Sequence, residues 1–145
     1  SEGQLYVLAR TGTTVTCKGG DKAAGIGGSY ATRNISNGYY NGDMYGHGVN
    51  MHFGSRSNPD YWGGIIAAIG GNGGAGIGGG AFSSPDKIGN GNVVIKDNAK
   101  IDNVQGGAYG AGIGGGIYGL SNVTIEGNTK VNATGGAGGA ACRRA

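Results

Sequence analysis

A pair of glycines followed after three residues by alanine recurs four times in this chain, and three of the four copies continue as Gly-Ile-Gly-Gly. The copies begin at Gly19, Gly70, Gly106 and Gly135. The first runs to Ala24-Gly25-Ile26-Gly27-Gly28, the second to Ala75-Gly76-Ile77-Gly78-Gly79, and the third to Ala111-Gly112-Ile113-Gly114-Gly115. The fourth decays into Ala140-Ala141-Cys142. Successive copies are separated by 51, 36 and 29 residues (70 − 19, 106 − 70, 135 − 106). A fixed register with variable spacing marks a solenoid, because each repeat is one turn of backbone and any extra length must leave the stack as a loop.

Glycine supplies 37 of the 145 residues, which raises collagen and flexible linker as alternatives. Collagen requires glycine at every third position, which this chain lacks, and a linker has no reason to keep isoleucine in register. The 11 Lys and Arg against 8 Asp and Glu are scattered, so no basic stripe for nucleic acid is visible. No apolar run approaches the roughly 18 residues of a spanning helix, and no signal segment precedes Ser1. The chain therefore reads as a mature domain cut from a longer array, without membrane insertion.

Two segments align at a separation of 30 residues (122 − 92): Asn92-Val93-Val94-Ile95 over Asn122-Val123-Thr124-Ile125, Asn98 over Asn128, Lys100 over Lys130 and Ile101 over Val131. Alternation of β-branched residues with polar ones predicts half-buried strands, two per turn, separated by an Asn turn. Leu5–Leu8 with Thr13–Thr16, and Thr129–Thr134, fit the same template. Stacking predicts an aliphatic ladder of Ile26, Ile77 and Ile113, a second of Ala24, Ala75 and Ala111, and amide ladders of Asn92 on Asn122 and Asn98 on Asn128.

From Ser29 to Trp62 the repeat disappears, to resume at Gly63-Gly64-Ile65-Ile66, and the first strand of the second turn is expected to be lost with it. This insertion holds seven of the eleven aromatic residues, Tyr30, Tyr39, Tyr40, Tyr45, Phe53, Tyr61 and Trp62, among Asn, Ser and Gly. That is the composition of binding loops, where rigid amphipathic rings supply contact area and small polar groups adapt the hydrogen bonding. Tyr39, Tyr40, Tyr45, Arg56, Tyr61 and Trp62 are the candidate ligand-binding residues; the opposing expectation is that some of these rings pack as a satellite core.

His47 and His52 could in principle ligate zinc with Asp43 and Asp60, but their spacing fits no established motif. Asp97, Asp102 and Glu126 lie beside Lys96, Lys100 and Lys130 and read as solvated pairs, and no nucleophile and base are spaced for catalysis. No metal, cofactor or enzymatic activity is expected. Cys142 falls in the place of the repeated isoleucine, three turns from Cys17, which at about 4.8 Å per turn separates them by roughly 14 Å. Bridged Cα atoms lie within about 7 Å, so separate thiols are expected unless the terminus folds back.

The Ala-Gly-Ile-Gly-Gly core, with Asn122-Val-Thr-Ile-Glu-Gly-Asn-Thr-Lys-Val-Asn-Ala-Thr-Gly-Gly136 before its last copy, resembles glycine-rich β-helix repeats in large surface proteins of Gram-positive bacteria, especially gut Firmicutes. The resemblance covers most of the chain outside 29–62. It implies a secreted, wall-attached, multi-repeat protein with neighbouring repeats in the same chain, some relatives being adhesins or immunoglobulin-binding superantigens. The expectation is an all-β single domain over 1–145, a short parallel β-helix of about three to four glycine-rich turns with one long aromatic insertion at 29–62. Its expected role is non-enzymatic extracellular binding of a host protein, with immunoglobulin as the specific wager. A carbohydrate-binding or polysaccharide-active domain and a structural stalk are the alternatives.

Overall fold

The computed structural model describes residues 4–28, 35–36, 39–40, 50–55, 57–81, 92–119 and 121–144, with backbone alone at 35, 36, 39, 40, 143 and 144. Among these the protein is all-β, with parallel strands in stacked sheets and one short 3-10 turn at Pro59–Tyr61. No helix among the described residues is long and apolar enough to cross a membrane.

The chain visits three sheets in the same order on each of its first three passes, which is a solenoid-like arrangement. The first pass is β1 (Gln4–Val7), β2 (Thr14–Lys18) and β3 (Ile26–Gly27). A separate antiparallel pair, β4 (Ile35–Ser36) and β5 (Tyr39–Tyr40), follows. The second pass is β6 (Asn50–Phe53), β7 (Ile65–Ile69) and β8 (Ile77–Gly78); the third is β9 (Val93–Ile95), β10 (Lys100–Gln105) and β11 (Ile113–Gly114). The fourth contributes β12 (Val123–Ile125) and β13 (Lys130–Thr134), then β14 (Cys142–Arg144). Strand order is β1-β6-β9-β12 in the first sheet, β14-β13-β10-β7-β2 in the second and β11-β8-β3 in the third.

Side chains alternate across each strand, so every sheet turns one set inward. Met51, Phe53, Val93 and Ile95 of the first sheet are wholly buried, and meet Ile66, Ala68, Ile101, Val104, Val131 and Ala133 of the second. Ile26, Ile77 and Ile113 pair in register along the third sheet as the sequence predicts, and Ala24, Ala75 and Ala111 are buried beside them. The amide ladders form as well. Asn122 Nδ2 donates to Asn92 Oδ1 at 3.1 Å, Asn92 Nδ2 to Asn50 Oδ1 at 3.0 Å, and Asn128 Nδ2 to Asn98 Oδ1 at 3.2 Å. Asn98 takes φ +63° after Asp97 at +52°, and Ala99 N closes the turn on Lys96 O, the paired left-handed conformation that Asn and Asp tolerate.

Three expectations need correction. Each of the first three passes carries three strands, because Ile-Gly forms a short strand of its own instead of a bend; parallel pairing with the next Ile-Gly supplies hydrogen bonds that a lone glycine-rich segment would leave to water. The repeat also resumes at Asn50, inside 29–62. Strand β6 pairs in parallel with both β1 and β9, and its Met51 and Phe53 are core residues, so the first strand of the second pass is present. Lastly, Cys142 does not stack on Ile113.

At the fourth copy the corner keeps its register as far as Ala140, whose carbonyl accepts from Gly112 N at 2.9 Å. Thereafter the chain folds back antiparallel on β13, pairing Ala133 with Cys142, Asn132 with Arg143 and Val131 with Arg144. The cause is local. Gly27, Gly78 and Gly114 hold φ of +130°, +131° and +138°, and Arg143 stands at that position in the fourth copy. An L side chain at such φ is strained, so the strand departs.

The same fold-back sets the cysteines at opposite edges of the second sheet, in one row through Ala68, Val104 and Ala133. Four strand spacings are roughly 19 Å, beyond any disulfide. Both thiols are half-buried, and burial raises the pKa of Cys142. Two free thiols are expected by titration after denaturation without reductant, and alkylation of folded Cys142 should accelerate only above the usual thiol range of pH. A protein carrying one internal bridge would contradict this register.

Candidate functional site

The candidate residues fall into three groups. Tyr61 and Trp62 lie together on the 3-10 turn. Tyr39 and Tyr40 belong to β5, where Tyr40 faces Ile35 and Tyr39 faces Ser36 in a two-stranded sheet that joins none of the three stacked sheets. Tyr45 and Arg56 lie outside the described residues, as does His47.

The 3-10 turn is built by its own sequence. Asn58 is extended and its Oδ1 accepts from Asp60 N at 3.1 Å, a side-chain cap that suits the turn start, and Pro59 supplies the required φ. Tyr61 N and Trp62 N then close on Asn58 O and Pro59 O, each at 3.1 Å. First-pass residues hold the turn in place. Thr11 N donates to Asp60 O at 2.6 Å, and Thr11 Oγ1 accepts from Gly63 N at 3.1 Å.

Trp62 is the ring this scaffold presents. Its Nε1 donates to Ser55 O at 2.6 Å while 38% of the residue stays exposed, so the indole is fixed at its polar edge with part of its apolar surface in water. An aromatic ring held this way loses little conformational entropy on contact with a partner. Tyr61 is half-buried beside it.

His52 has a different place. As an outward residue of β6 it stacks on Tyr6, with ring centroids 4.8 Å apart and planes inclined by 16°. Among the described residues no three of His, Cys, Asp and Glu gather closely enough to hold a metal ion.

Two exposed tyrosines in turns outside 29–62 escaped the sequence reading. In the glycine corner the second central residue takes positive φ in every copy: Lys22 at +62°, Gly73 at +80°, Tyr109 at +60° and Gly138 at +80°. Tyr109 is 64% exposed, and its ring lies across Gly138, where an added Cβ would come within 2.9 Å of Cδ1. Tyr118, at φ +57° and 53% exposed, follows Ile117, whose N–H donates to Gly73 O at 2.7 Å. Left-handed tyrosine costs about 1 kcal/mol where glycine costs nothing. The available signal was an aromatic residue at a corner position that two other copies fill with glycine.

No protein-family model, no curated protein and no solved structure matches the chain.

Proposed function

We propose that this protein is a non-enzymatic binding module: a short parallel β-helix of three to four glycine-rich turns that displays aromatic side chains to an extracellular macromolecule. The supporting observation is the Trp62 indole, pinned through Nε1 to Ser55 O and carried on a turn that Thr11 ties to the first pass. Tyr61, Tyr39, Tyr40 and Tyr45, with Arg56, are proposed to complete the surface, since binding energy concentrates in a few aromatic and Arg anchors. The resemblance of the glycine-rich repeats to those of bacterial surface proteins supports a wall-attached or secreted location and makes immunoglobulin the first partner to test.

The test is capture from serum run beside a glycan array on the same sample, followed by Trp62→Ala on whatever binds. Truncation at an anchor costs at least about 2 kcal/mol, or roughly a 30-fold loss of affinity. The melting temperature should stay close to the parent's, because the side chain lies outside the core. A folded Trp62→Ala protein that binds with parental affinity moves the site away from this turn; binding to glycans alone transfers the reading to carbohydrate recognition.

A further inference from the structure

Two tyrosines hold backbone positions that glycine would fill at lower energy. Gly107-Ala108-Tyr109-Gly110 and Gly116-Ile117-Tyr118-Gly119 are tight turns, closed by Gly110 N on Gly107 O at 2.8 Å and by Gly119 N on Gly116 O at 2.9 Å. In each, only the third residue has positive φ, +60° at Tyr109 and +57° at Tyr118, the type II position that suits glycine or asparagine. The stack does not ask for tyrosine there. The equivalent of Tyr109 is Gly73 one pass earlier and Gly138 one pass later, in turns closed by the same bond. The Tyr109 ring gains contact with Gly138, yet most of the residue stays in water. Backbone strain that the fold does not require clusters at ligand-binding positions.

The two turns belong to one corner, between the second and third sheets, whereas Trp62 lies between the first and second. The Tyr109 turn stacks on the turn 71–74, with Gly107 N donating to Gly74 O at 2.9 Å. The Tyr118 turn leans on that same turn. Ile117 N donates to Gly73 O at 2.7 Å, and Ile117 Cγ2 is 3.1 Å from where a Gly73 Cβ would stand. Asn72, exposed on the turn 71–74, adds a side-chain amide to the corner. No charged residue occurs between Gly106 and Gly119; the corner's charged pair, Asp21 and Lys22, is on the first-pass turn, two turns from Tyr109.

These surroundings select among ligands. An aromatic anchor for a protein works inside a ring of neighbouring side chains that excludes water, and the glycines and alanines of these turns build no such ring. An anionic ligand calls for Arg or Lys beside the rings. A neutral pyranose calls for neither, because its C–H face stacks on a tyrosine face while its hydroxyls meet phenol and amide groups and the water around them.

We propose that Tyr109 and Tyr118 form a stacking platform for a neutral glycan, with Asn72 as a hydrogen-bonding residue, at a site separate from the Trp62 turn. Calorimetric titration of the intact chain with cellohexaose, laminarihexaose, mannohexaose and chitohexaose, beside hexagalacturonate as the acidic probe, provides the test. At least one uncharged hexasaccharide should bind, and Tyr109→Gly and Tyr118→Gly should each weaken that binding about tenfold or more. Both glycine variants should melt at or slightly above the parent's temperature, because glycine adopts the left-handed backbone without strain. A tyrosine kept for packing would do the opposite, so a glycine variant that melts well below the parent overturns the assignment. Binding of no neutral probe, binding of the acidic probe alone, or parental affinity in both folded glycine variants overturns it as well. Neutral-glycan binding that Trp62→Ala removes and the glycine variants keep places the glycan on the 3-10 turn instead.

Discussion

Ile77→Asp is expected to abolish the folded state. Ile77 is fully buried at the centre of the third sheet, paired with Ile26 on one side and Ile113 on the other. The substitution removes an aliphatic side chain from the core and sets a carboxylate there without a cation. Lost packing costs about 2–5 kcal/mol, and an unpaired buried charge adds several more unless the group takes up a proton. That approaches or exceeds the whole stability of a domain of this size, about 5–15 kcal/mol. Far-ultraviolet circular dichroism and a thermal melt provide the check. A protein that retains its β-sheet spectrum and melts within a few degrees of the parent would show that the isoleucine ladder does not form the interior.

Gly78→Ala tests the other half of the design, the close approach of successive passes. Gly78 holds φ +131°, and a Cβ built there would overlap the Gly114 carbonyl of the next pass. The conformation alone costs an alanine about 1–3 kcal/mol, and forcing β11 away from β8 adds about 1–3 kcal/mol of overpacking. Gly114 is an internal control. It has φ +138°, yet among the described residues no strand lies beyond it, and the nearest atom to an added Cβ is Ala111 Cβ at 3.3 Å. Gly114→Ala should therefore show only the conformational cost and melt well above Gly78→Ala. Equal destabilisation by the two would mean that stacking contributes nothing to the glycine requirement.

Much of this architecture was legible because its repeats are written residue by residue. The 30-residue match of Asn92 with Asn122 and Asn98 with Asn128 foretold both ladders, since identical amides one strand spacing apart satisfy each other. The glycine copies at 106 and 135 are only 29 residues apart, and the single residue of difference is the bulge in β10. There Asn103 takes φ +54° and Ile101 and Val104 both stay inward, pairing with Val131 and Ala133. The sequence carried the irregularity as a count but gave no sign of where the extra residue lay.

Strand β6 went unread for a different reason. Asn50-Met51-His52-Phe53 has the Asn and the alternation of Asn92-Val93-Val94-Ile95, but Met, His and Phe replace β-branched residues and the surroundings look like a binding loop. Its assignment as a core strand came from β1 and β9, which offer hydrogen bonds on both sides and a closed interior for Met51 and Phe53. Local propensity is a weak prior when both neighbours are already in place.

The sequence by itself therefore determined the parallel stack, its period and its inward isoleucine and alanine ladders, because these depend on side chains that repeat at fixed positions and on glycines that only a close backbone approach requires. Tertiary structure alone decided where the repeat is interrupted and how it ends. Whether Phe53 is core or ligand-facing, whether Trp62 is tethered, and whether Cys142 stacks on Ile113 or folds onto Ala133 all depend on which neighbouring strand supplies a hydrogen-bonding edge. Such an edge is set by contacts between residues far apart in the chain, and composition and spacing carry no record of it.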